Sequence, residues 1–324
     1  MLHKIDKIIP QRIVINEVSA GQRIDNFLLK ILKGVPKSHI YRILRTGGVR
    51  VNKKRIKADY HLQFKDQIRM PPIRLAARNV KQPSANSIEN LANRIIYEDD
   101  GLLIINKPSG VAAHGGSGIN FGVIEIVRGM RPNAKFLELA HRLDRDTSGC
   151  IIIAKKRCVL LELHNLLMNN QIEKTYLTLV RGIWRGDKRI VDAPLLKNQL
   201  QSGERMVRID ATGKPARTIF KLRQQFANTA LIEAELHTGR THQIRVHAAH
   251  IGYPIAGDEK YGDKEFNKII RKMGLRRLFL HAYSLYFTLP STKKSIRIKI
   301  ELDKKLEDLL KKLNSISIVN KNAK

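Results

Sequence analysis

The chain has few cysteines, few aromatic residues and no long apolar segment. Its 324 residues include two cysteines and one tryptophan, and aromatic residues make up 6%. Cys150 and Cys158 fit neither a disulfide framework nor a Cys-x-x-Cys metal or redox pair, so we expect two small buried side chains in a reducing compartment. There is no apolar run of about 18 residues and no secretory signal, so we expect a cytoplasmic protein without membrane association.

Acidic residues are also scarce. The chain carries 60 Lys and Arg against 29 Asp and Glu, which gives a formal net charge of +31. A charge of this size indicates the type of partner and not the fold, and nucleic acid is the polyanion that it best suits. The length and a hydrophobic content of 43% are sufficient for two domains.

The positive charge is concentrated near the N-terminus. Apolar residues recur at helical spacing from Ile24 to Leu32 and again from Ile40 to Leu44, with Ser38 as the predicted N-cap of the second helix. Residues 20–78 contain 15 Lys and Arg against 3 Asp and Glu, a net charge of +12. The basic side chains on or after the second helix are Lys37, Arg42, Arg45, Lys53, Lys54 and Arg55. A solvated charged face is the alternative, but so large an excess of one sign favours RNA binding.

The rest of the chain predicts a larger domain with many strands. Apolar runs on both sides of Asp100-Gly101 indicate a hairpin, and later strands are interspersed irregularly with helices. We therefore expect an α+β protein, in which a small N-terminal RNA-binding domain precedes a mixed, mainly antiparallel sheet. The expected segments are an N-terminal extension at 1–20, the small domain at 21–78, a linker at 79–92, the larger domain at 93–314 and a flexible tail at 315–324.

One charged segment stands out within the larger domain. His141-Arg142-Leu143-Asp144-Arg145-Asp146-Thr147-Ser148-Gly149 is followed directly by the apolar run Cys150-Ile151-Ile152-Ile153-Ala154, which predicts a buried strand. A carboxylate on a loop that leads into such a strand has a rigid support, and the flanking guanidinium groups can bind an anionic substrate. The alternative is an ordinary solvated turn.

Four separated motifs, in order, resemble those of the RluA-type RNA pseudouridine synthases. Besides the segment at 141–149, they are Lys107-Pro108-Ser109-Gly110, Lys174-Thr175-Tyr176 and the run from Gly239 to His247. The resemblance covers nearly the whole chain and is greatest to members that act on 23S ribosomal RNA. It implies an S4-like N-terminal domain and a cofactor-free isomerase that converts specific uridines of 23S rRNA, or of a precursor large subunit, to pseudouridine.

The same resemblance assigns roles to individual residues. Asp144 is the expected essential carboxylate, acting either as a nucleophile or by removing a sugar proton, and Arg245 is its expected partner. Tyr176 is expected to lie against the target base and assist at C5. Arg142 is expected to fill the space that a flipped-out uridine leaves, and Leu280 to form the pocket floor. The alternatives are a surface arginine on an amphipathic helix for Arg245, a core tyrosine for Tyr176, and for Arg142 a phosphate contact or an ion pair with Asp146.

The histidines do not indicate a metal site. His237, His242, His247 and His250 lie close in sequence, but no carboxylate or cysteine completes a ligand set. We expect no metal, no cofactor, no obligate protein partner and a monomer. Two other functions stay open at this point: a non-enzymatic S4-type RNA-binding or ribosome-assembly factor, and a metal-dependent nuclease that uses Asp144 and Asp146.

Overall fold

The computed structural model describes residues 7–8, 12–32, 35–75, 82–116, 121–199 and 205–322. The chain divides into two compact units, Met1–Lys81 and Gln82–Lys324. The first has its own apolar core, which includes Ile24 and Leu28 of the first predicted helix and Ile40 and Leu44 of the second.

The first unit consists of two helices and short strands. In chain order its elements are β1 (Lys7–Ile8), β2 (Arg12–Val14), α1 (Ile24–Ile31), α2 (Lys37–Arg45), β3 (Arg50–Val51), β4 (Lys54–Arg55), β5 (Gln67–Arg69) and β6 (Arg74–Leu75). Four strands form a sheet in the order β2-β5-β3-β4, and β1 pairs with β6. Both predicted helices are confirmed. Their apolar faces contribute to the apolar core of this unit, as the spacing of the residues predicts.

Two details of this unit differ from the sequence-based expectation. The prediction that residues 1–20 form an extension outside the small domain is wrong for the described residues. Strand β2 joins the sheet, and Ile15, which is 1% exposed, belongs to the core. Residues 1–6 and 9–11 lie outside the described residues. Helix α2 begins one residue before Ser38, because the carbonyl group of Pro36 already accepts the first helical hydrogen bonds.

The second unit contains the large sheet. Its elements are α3 (Ala85–Ala92), β7 (Ile95–Glu98), β8 (Leu102–Lys107), α4 (Val123–Met130), β9 (Glu138–Leu139), β10 (Ser148–Ala154), α5 (Arg157–Met168), β11 (Glu173–Arg181), β12 (Lys188–Asp192), β13 (Leu195–Gln199), β14 (Arg205–Ile209), β15 (Arg217–Gln225), β16 (Thr229–Leu236), α6 (Gln243–His250), α7 (Lys264–Lys272), β17 (Leu280–Leu289), β18 (Lys294–Lys299) and α8 (Lys304–Asn322).

Most of these strands form one 10-stranded sheet. Its main path is β12-β15-β16-β11-β17-β10-β8-β7, with β18 on β17 and β9 on β10. Among the described strands only β10 and β17 pair in parallel, so the prediction of a mixed, mainly antiparallel α+β fold is confirmed. Strand β10 is buried along its whole length, as its apolar run predicts. The prediction for Cys158 is wrong: Cys150 is buried in β10, but Cys158 is exposed on α5.

The predicted linker and tail are largely helical. Residues 85–92 form α3, because the Ser84 side chain accepts a hydrogen bond from the Ser87 amide (3.2 Å) and Leu91 is buried. Residues 79–81 of the predicted linker lie outside the described residues. Helix α8 continues to Asn322 through most of the predicted tail, since no glycine or proline interrupts it and Leu306, Leu309 and Leu313 anchor it in the core.

Candidate active site

Five predicted site residues from four parts of the second unit line one pocket. Arg142 and Asp144 precede β10, Tyr176 lies on β11, Arg245 on α6 and Leu280 at the start of β17. The pocket has a volume of about 90 Å³. Strands β11 and β17 are neighbours, and Tyr176 is paired with Ala282, two residues from Leu280. The sheet therefore brings together side chains that are far apart in the sequence.

Asp144 has a different environment at each of its two carboxylate oxygens. Its side chain is 19% exposed, and its Oδ2 atom lies 3.4 Å from Nη1 of Arg245 and 3.8 Å from Nε2 of His242. Among the described residues no hydrogen-bond partner contacts Oδ1. One oxygen thus faces two nitrogen groups of the protein, and the other is available to a bound molecule.

Arg245 is held by a second carboxylate, that of Asp258. Its Nε and Nη2 atoms donate to the two oxygens of Asp258 at 2.7 and 2.8 Å, and Asp258 also accepts the amide hydrogens of Lys260 and Tyr261. Burial, the largest single influence, would raise the pKa of Asp258, but the hydrogen bonds and charge of Arg245 together with the two backbone amides outweigh it and hold that pKa below its usual value. Arg245 is 8% exposed, so the alternative of a surface arginine is wrong.

A buried lysine connects the Asp144 loop to β8. Lys107 is fully buried, and its Nζ atom donates to the carbonyl groups of Pro108 (2.9 Å), Val111 (2.7 Å) and Arg145 (2.9 Å). The Ser109 hydroxyl donates to the Asp146 carbonyl (2.7 Å). Burial lowers the pKa of Lys107, but its three carbonyl acceptors favour the charged ammonium, because only that form has three hydrogens to donate. The Lys107-Pro108-Ser109-Gly110 motif is therefore a backbone support for the loop.

The loop enters β10 through a glycine that packs against β17. Gly149 has a φ of +106°, and a Cβ atom built on it would lie 2.2 Å from the Ala282 carbonyl oxygen. Only glycine fits both the torsion angle and this close approach. Next to it, Nη2 of Arg277 donates to the Ser148 hydroxyl (2.6 Å), which lies 2.9 Å from Nδ1 of the buried His281.

Tyr176 and Leu280 form the apolar side of the pocket. Tyr176 is 7% exposed and Leu280 is 4% exposed. Burial, together with the negative charge of Asp144, raises the pKa of Tyr176 above its usual value. The phenol is therefore protonated at neutral pH, and Tyr176 lies at the pocket wall as well as in the apolar core.

Arg142 is exposed and lines the pocket together with Asp144. The alternative of an ion pair between Arg142 and Asp146 is wrong, because Asp146 pairs with Arg145 (3.1 Å). Within the described part of the chain the Arg142 guanidinium has no hydrogen-bond or ion-pair partner. Its side chain is therefore available to a ligand.

The pocket adjoins a larger basic cleft of about 1120 Å³, which also contains Asp144, Arg142, His242 and Arg245. Each of its other acidic side chains is paired with an arginine: Asp146 with Arg145, Asp258 with Arg245, Glu259 with Arg271 and Asp303 with Arg277. Within the described residues, five basic side chains of the cleft have no such partner: Arg94, Arg142, Arg276, Lys304 and Lys305. The cleft therefore suits a polyanion larger than a small-molecule ligand.

Sequence reasoning missed Asp258 and Tyr261, and it considered His242 only as a metal ligand. Nδ1 of His242 lies 2.9 Å from the Tyr261 hydroxyl, and the guanidinium of Arg245 lies over the Tyr261 ring at 5.1 Å. Asp258 and Tyr261 lie in the short run from Gly257 to Gly262, where no local pattern of charge or hydrophobicity marks them as site residues. In the described residues no three His, Cys, Asp or Glu side chains are grouped as metal ligands would be.

The six basic residues predicted for RNA binding are all exposed on the first unit. Three of them lie on α2, namely Lys37, Arg42 and Arg45, and the other three lie in the β3–β4 hairpin, namely Lys53, Lys54 and Arg55. The Arg55 guanidinium donates to the carbonyl group of Thr46 at the end of α2 (2.9 Å). This bond holds the two basic groups close together.

Solved structures with the same fold are RNA pseudouridine synthases. The structure titled Human RNA Pseudouridylate Synthase Domain Containing 4 matches with a TM-score of 0.59 and 25% identity, over 70% of this chain and 95% of the human chain. Human RNA Pseudouridylate Synthase Domain Containing 1 matches with a TM-score of 0.56 and 22% identity, over 72% of this chain and 98% of that one. The fold is therefore that of a pseudouridine synthase.

Sequence comparison identifies the family. Residues 101–250 match the model of the RNA pseudouridylate synthase family, and residues 22–68 match that of the S4 domain. The ribosomal large subunit pseudouridine synthase C of Haemophilus influenzae is 53% identical over 303 residues, 93% of this chain and 94% of the relative. The synthase C of Escherichia coli K12 is 53% identical over 307 residues, 94% and 96% of the two chains. The chain belongs to the RNA pseudouridylate synthase family and carries an S4 domain at its N-terminal side, which confirms the predicted resemblance and the enzyme class.

Proposed function

We propose that this enzyme isomerises specific uridines to pseudouridine in the 23S rRNA of the large ribosomal subunit, with Asp144 as its essential carboxylate. The observation that carries the proposal is the pocket in which Asp144, Arg245, Tyr176, Arg142 and Leu280 meet beside the basic cleft. The relatives with 53% identity are named for the large ribosomal subunit, which supports this choice of substrate.

The isomerisation needs few chemical groups. The bond between C1′ and N1 of uridine breaks, the base turns, a bond forms between C5 and C1′, and a proton leaves C5 while N1 gains one. Asp144 acts through its Oδ1, either as a nucleophile that attacks the sugar or the base or by removing a sugar proton. The guanidinium of Arg245, 3.4 Å from Oδ2, stabilises the ionised carboxylate in this partly buried position.

The remaining pocket residues hold and admit the base. Tyr176 lies against the detached uracil and assists when the C5 proton leaves, and Leu280 forms the apolar floor. Arg142 enters the RNA stack in place of the flipped uridine, because a flat guanidinium can stack and donate hydrogen bonds there. Its exposure supports this role, as does its guanidinium, which has no partner among the described residues.

The S4 domain contributes RNA binding that is separate from the chemical step. Its exposed basic groups on α2 and in the β3–β4 hairpin contact phosphates of structured rRNA, which they recognise by shape more than by sequence. No helix in the described part of the chain has the length and apolar composition needed to cross a bilayer. We place the reaction in the cytoplasm, on naked rRNA or on a precursor of the large subunit, and the enzyme acts as a monomer.

The test is direct mapping of pseudouridine in rRNA. The full-length protein is incubated with unmodified 23S rRNA without added metal, and pseudouridine is located by carbodiimide-dependent stops in reverse transcription. The wild type is expected to give stops at specific positions. Asp144→Asn is expected to give none while it keeps its affinity for rRNA, because the substitution removes the charge but little volume.

Other outcomes separate the proposal from its rivals. RNA that is bound but unchanged by the wild type would indicate a binding protein, and cleavage that a chelator stops would indicate a nuclease. Wild-type activity in Asp144→Asn would show that another residue supplies the carboxylate. Asp146→Asn is the matched control, since Asp146 pairs with Arg145 at the edge of the same loop.

A further inference from the structure

We infer that His242 is a positioning residue for Asp144, and that Tyr261 fixes the imidazole in the tautomer whose Nε2–H faces the carboxylate. The inference rests on the proposed role of Asp144. Together with Arg245, the imidazole holds Oδ2 and turns Oδ1 towards the nucleoside. The argument uses the backbone of His242, the hydrogen bonds of Tyr261 and the two oxygens of Asp144.

The backbone of His242 has an uncommon conformation. Its φ of +55° and ψ of +18° lie in the left-handed region, directly before the first residue of α6. This region costs a non-glycine residue roughly 1 kcal/mol or more, and such residues concentrate at functional sites. The conformation directs the ring to the wall of the Asp144 pocket, where His242 lines both the pocket and the cleft.

The hydrogen bonds of Tyr261 determine where the imidazole proton resides. The Val207 amide donates to the Tyr261 hydroxyl (3.0 Å), which also lies 2.9 Å from Nδ1 of His242. Within the described residues this hydroxyl has no other acceptor. Donation of its proton to Nδ1 satisfies every group, and the imidazole proton then resides on Nε2.

The Nε2 atom lies near the Asp144 carboxylate, so its proton can interact with that group. Nε2 lies 3.8 Å from Oδ2 of Asp144, the same oxygen that Nη1 of Arg245 approaches at 3.4 Å. An N–H group directed at a carboxylate is attractive, whereas a lone pair there would repel it. At 3.8 Å the Nε2–H group makes no hydrogen bond, but its attraction adds to the hydrogen bond from Arg245 on the same oxygen. Both favour the rotation of the carboxylate that leaves Oδ1, which has no partner in the described residues, for the substrate.

Two conservative variants separate positioning from folding. His242→Asn tolerates the left-handed backbone and can reach Tyr261, but it has no donor at the position of Nε2. His242→Gln places its amide nitrogen close to that position. We expect single-turnover pseudouridine formation to fall at least about tenfold in His242→Asn and to be largely restored in His242→Gln, with rRNA affinity unchanged in both. His250→Asn, an exposed histidine at the end of the same helix, is the matched control.

A direct readout does not depend on activity. Nitrogen-15 NMR of the full-length protein labelled at histidine identifies the His242 signal by its loss in His242→Asn. We expect a protonated Nε2 in the wild type and a mixture of tautomers in Tyr261→Phe. A protonated Nδ1 in the wild type, or wild-type turnover in His242→Asn, would overturn the inference. If Asp144→Asn remains active the proposed function fails instead, so the two failures are distinguishable.

Discussion

Asp258 controls the position of Arg245, although it does not line the Asp144 pocket. Two of the three guanidinium nitrogens of Arg245 are committed to Asp258, and only Nη1 remains for Asp144. A guanidinium shared in this way cannot move fully to Asp144 and neutralise it. The division leaves the Asp144 carboxylate accessible to a substrate, while the buried Asp258 carries the tighter ion pair.

The first prediction at this scale concerns Arg245→Met. Single-turnover chemistry is expected to fall far more than rRNA affinity, because Arg245 contacts the reacting carboxylate. The variant is also expected to lose about 3–5 kcal/mol of folding free energy, since the buried Asp258 keeps a charge without its partner. Urea unfolding and single-turnover rates measure the two effects separately.

A second substitution provides the control. Arg245→Met combined with Asp258→Asn removes the uncompensated charge, and the asparagine oxygen can still accept the Lys260 and Tyr261 amide hydrogens. Stability should recover towards that of the wild type, but activity should not. Equal losses of affinity and chemistry in Arg245→Met would instead make Arg245 a phosphate contact.

At the scale of elements, the site depends on how the end of β8 holds the loop before β10. Both strands have a neighbour on each side in the sheet, and they pair from Gly149 and Lys107 at one end to Ala154 and Leu102 at the other. Lys107 uses its buried ammonium group to bind three backbone carbonyls, one of which belongs to the Asp144 loop. The rigid pair of strands thereby determines the loop position.

We predict that Lys107→Met lowers turnover at least about tenfold without weakening rRNA binding, because small displacements of a reacting group are costly. Loss of the ammonium removes the Lys107 donor from the Pro108 and Val111 carbonyl groups, at a cost of roughly 1–3 kcal/mol each, whereas the Arg145 carbonyl keeps the Gly110 amide as a donor. Hydrogen exchange in the peptide that covers residues 141–149 should become faster. Lys155→Met, at the opposite end of β10, removes the contacts of Lys155 with Glu98 and the Asp99 carbonyl and should leave turnover intact.

The elements differ in how well the sequence predicts them. Strand β10 follows from a continuous run of mostly β-branched apolar residues, and the helix of Arg245 follows from the helical spacing of Ile244, Ala248 and Ile251. Helix α3 was missed, since its composition is polar and its stability comes from the Ser84 cap and the buried Leu91. Helix α8 was expected to end early because its last residues are polar, but their composition does not stop a helix.

The site itself was predictable only through family resemblance. The distance between Asp144 and Arg245 depends on the order of strands in the sheet, and no local pattern encodes that order. Asp258 and Tyr261 were missed for the same reason. Their importance is visible only when the fold places them against Arg245 and His242.

At the scale of the whole molecule, part of the net charge of +31 lies where RNA is expected to bind. In the cleft, arginines neutralise the acidic side chains other than Asp144, while Arg276, Lys304 and Lys305 remain without partners among the described residues. Such groups release counterions from RNA when they contact its phosphates. The cleft should therefore contribute to the salt dependence of binding in addition to the S4 domain.

The corresponding variant replaces Arg276, Lys304 and Lys305 together by alanine. We expect weaker rRNA binding at low salt and a slope of log affinity against log salt that is smaller by about 2, since each single-strand phosphate contact contributes about 0.7. Filter binding of the full-length protein over a range of salt concentrations measures the slope. Replacement of Lys135, Arg185 and Lys188, which are exposed outside the cleft, removes the same charge and should change the slope much less. Equal effects of both triple variants would assign no special role to the cleft.

The close packing of Gly149 against the Ala282 carbonyl fixes the backbone beside the reacting residue. This contact does not depend on the residues that select the substrate. Because main-chain atoms alone set the spacing of the two parallel strands at that point, the fold places the backbone next to the Asp144 loop, and side chains such as Arg245 then orient the carboxylate. Substitutions in the loops at the rim of the cleft should therefore not displace this backbone. A designer who wishes to retarget this enzyme should leave residue 149 untouched and vary the rim.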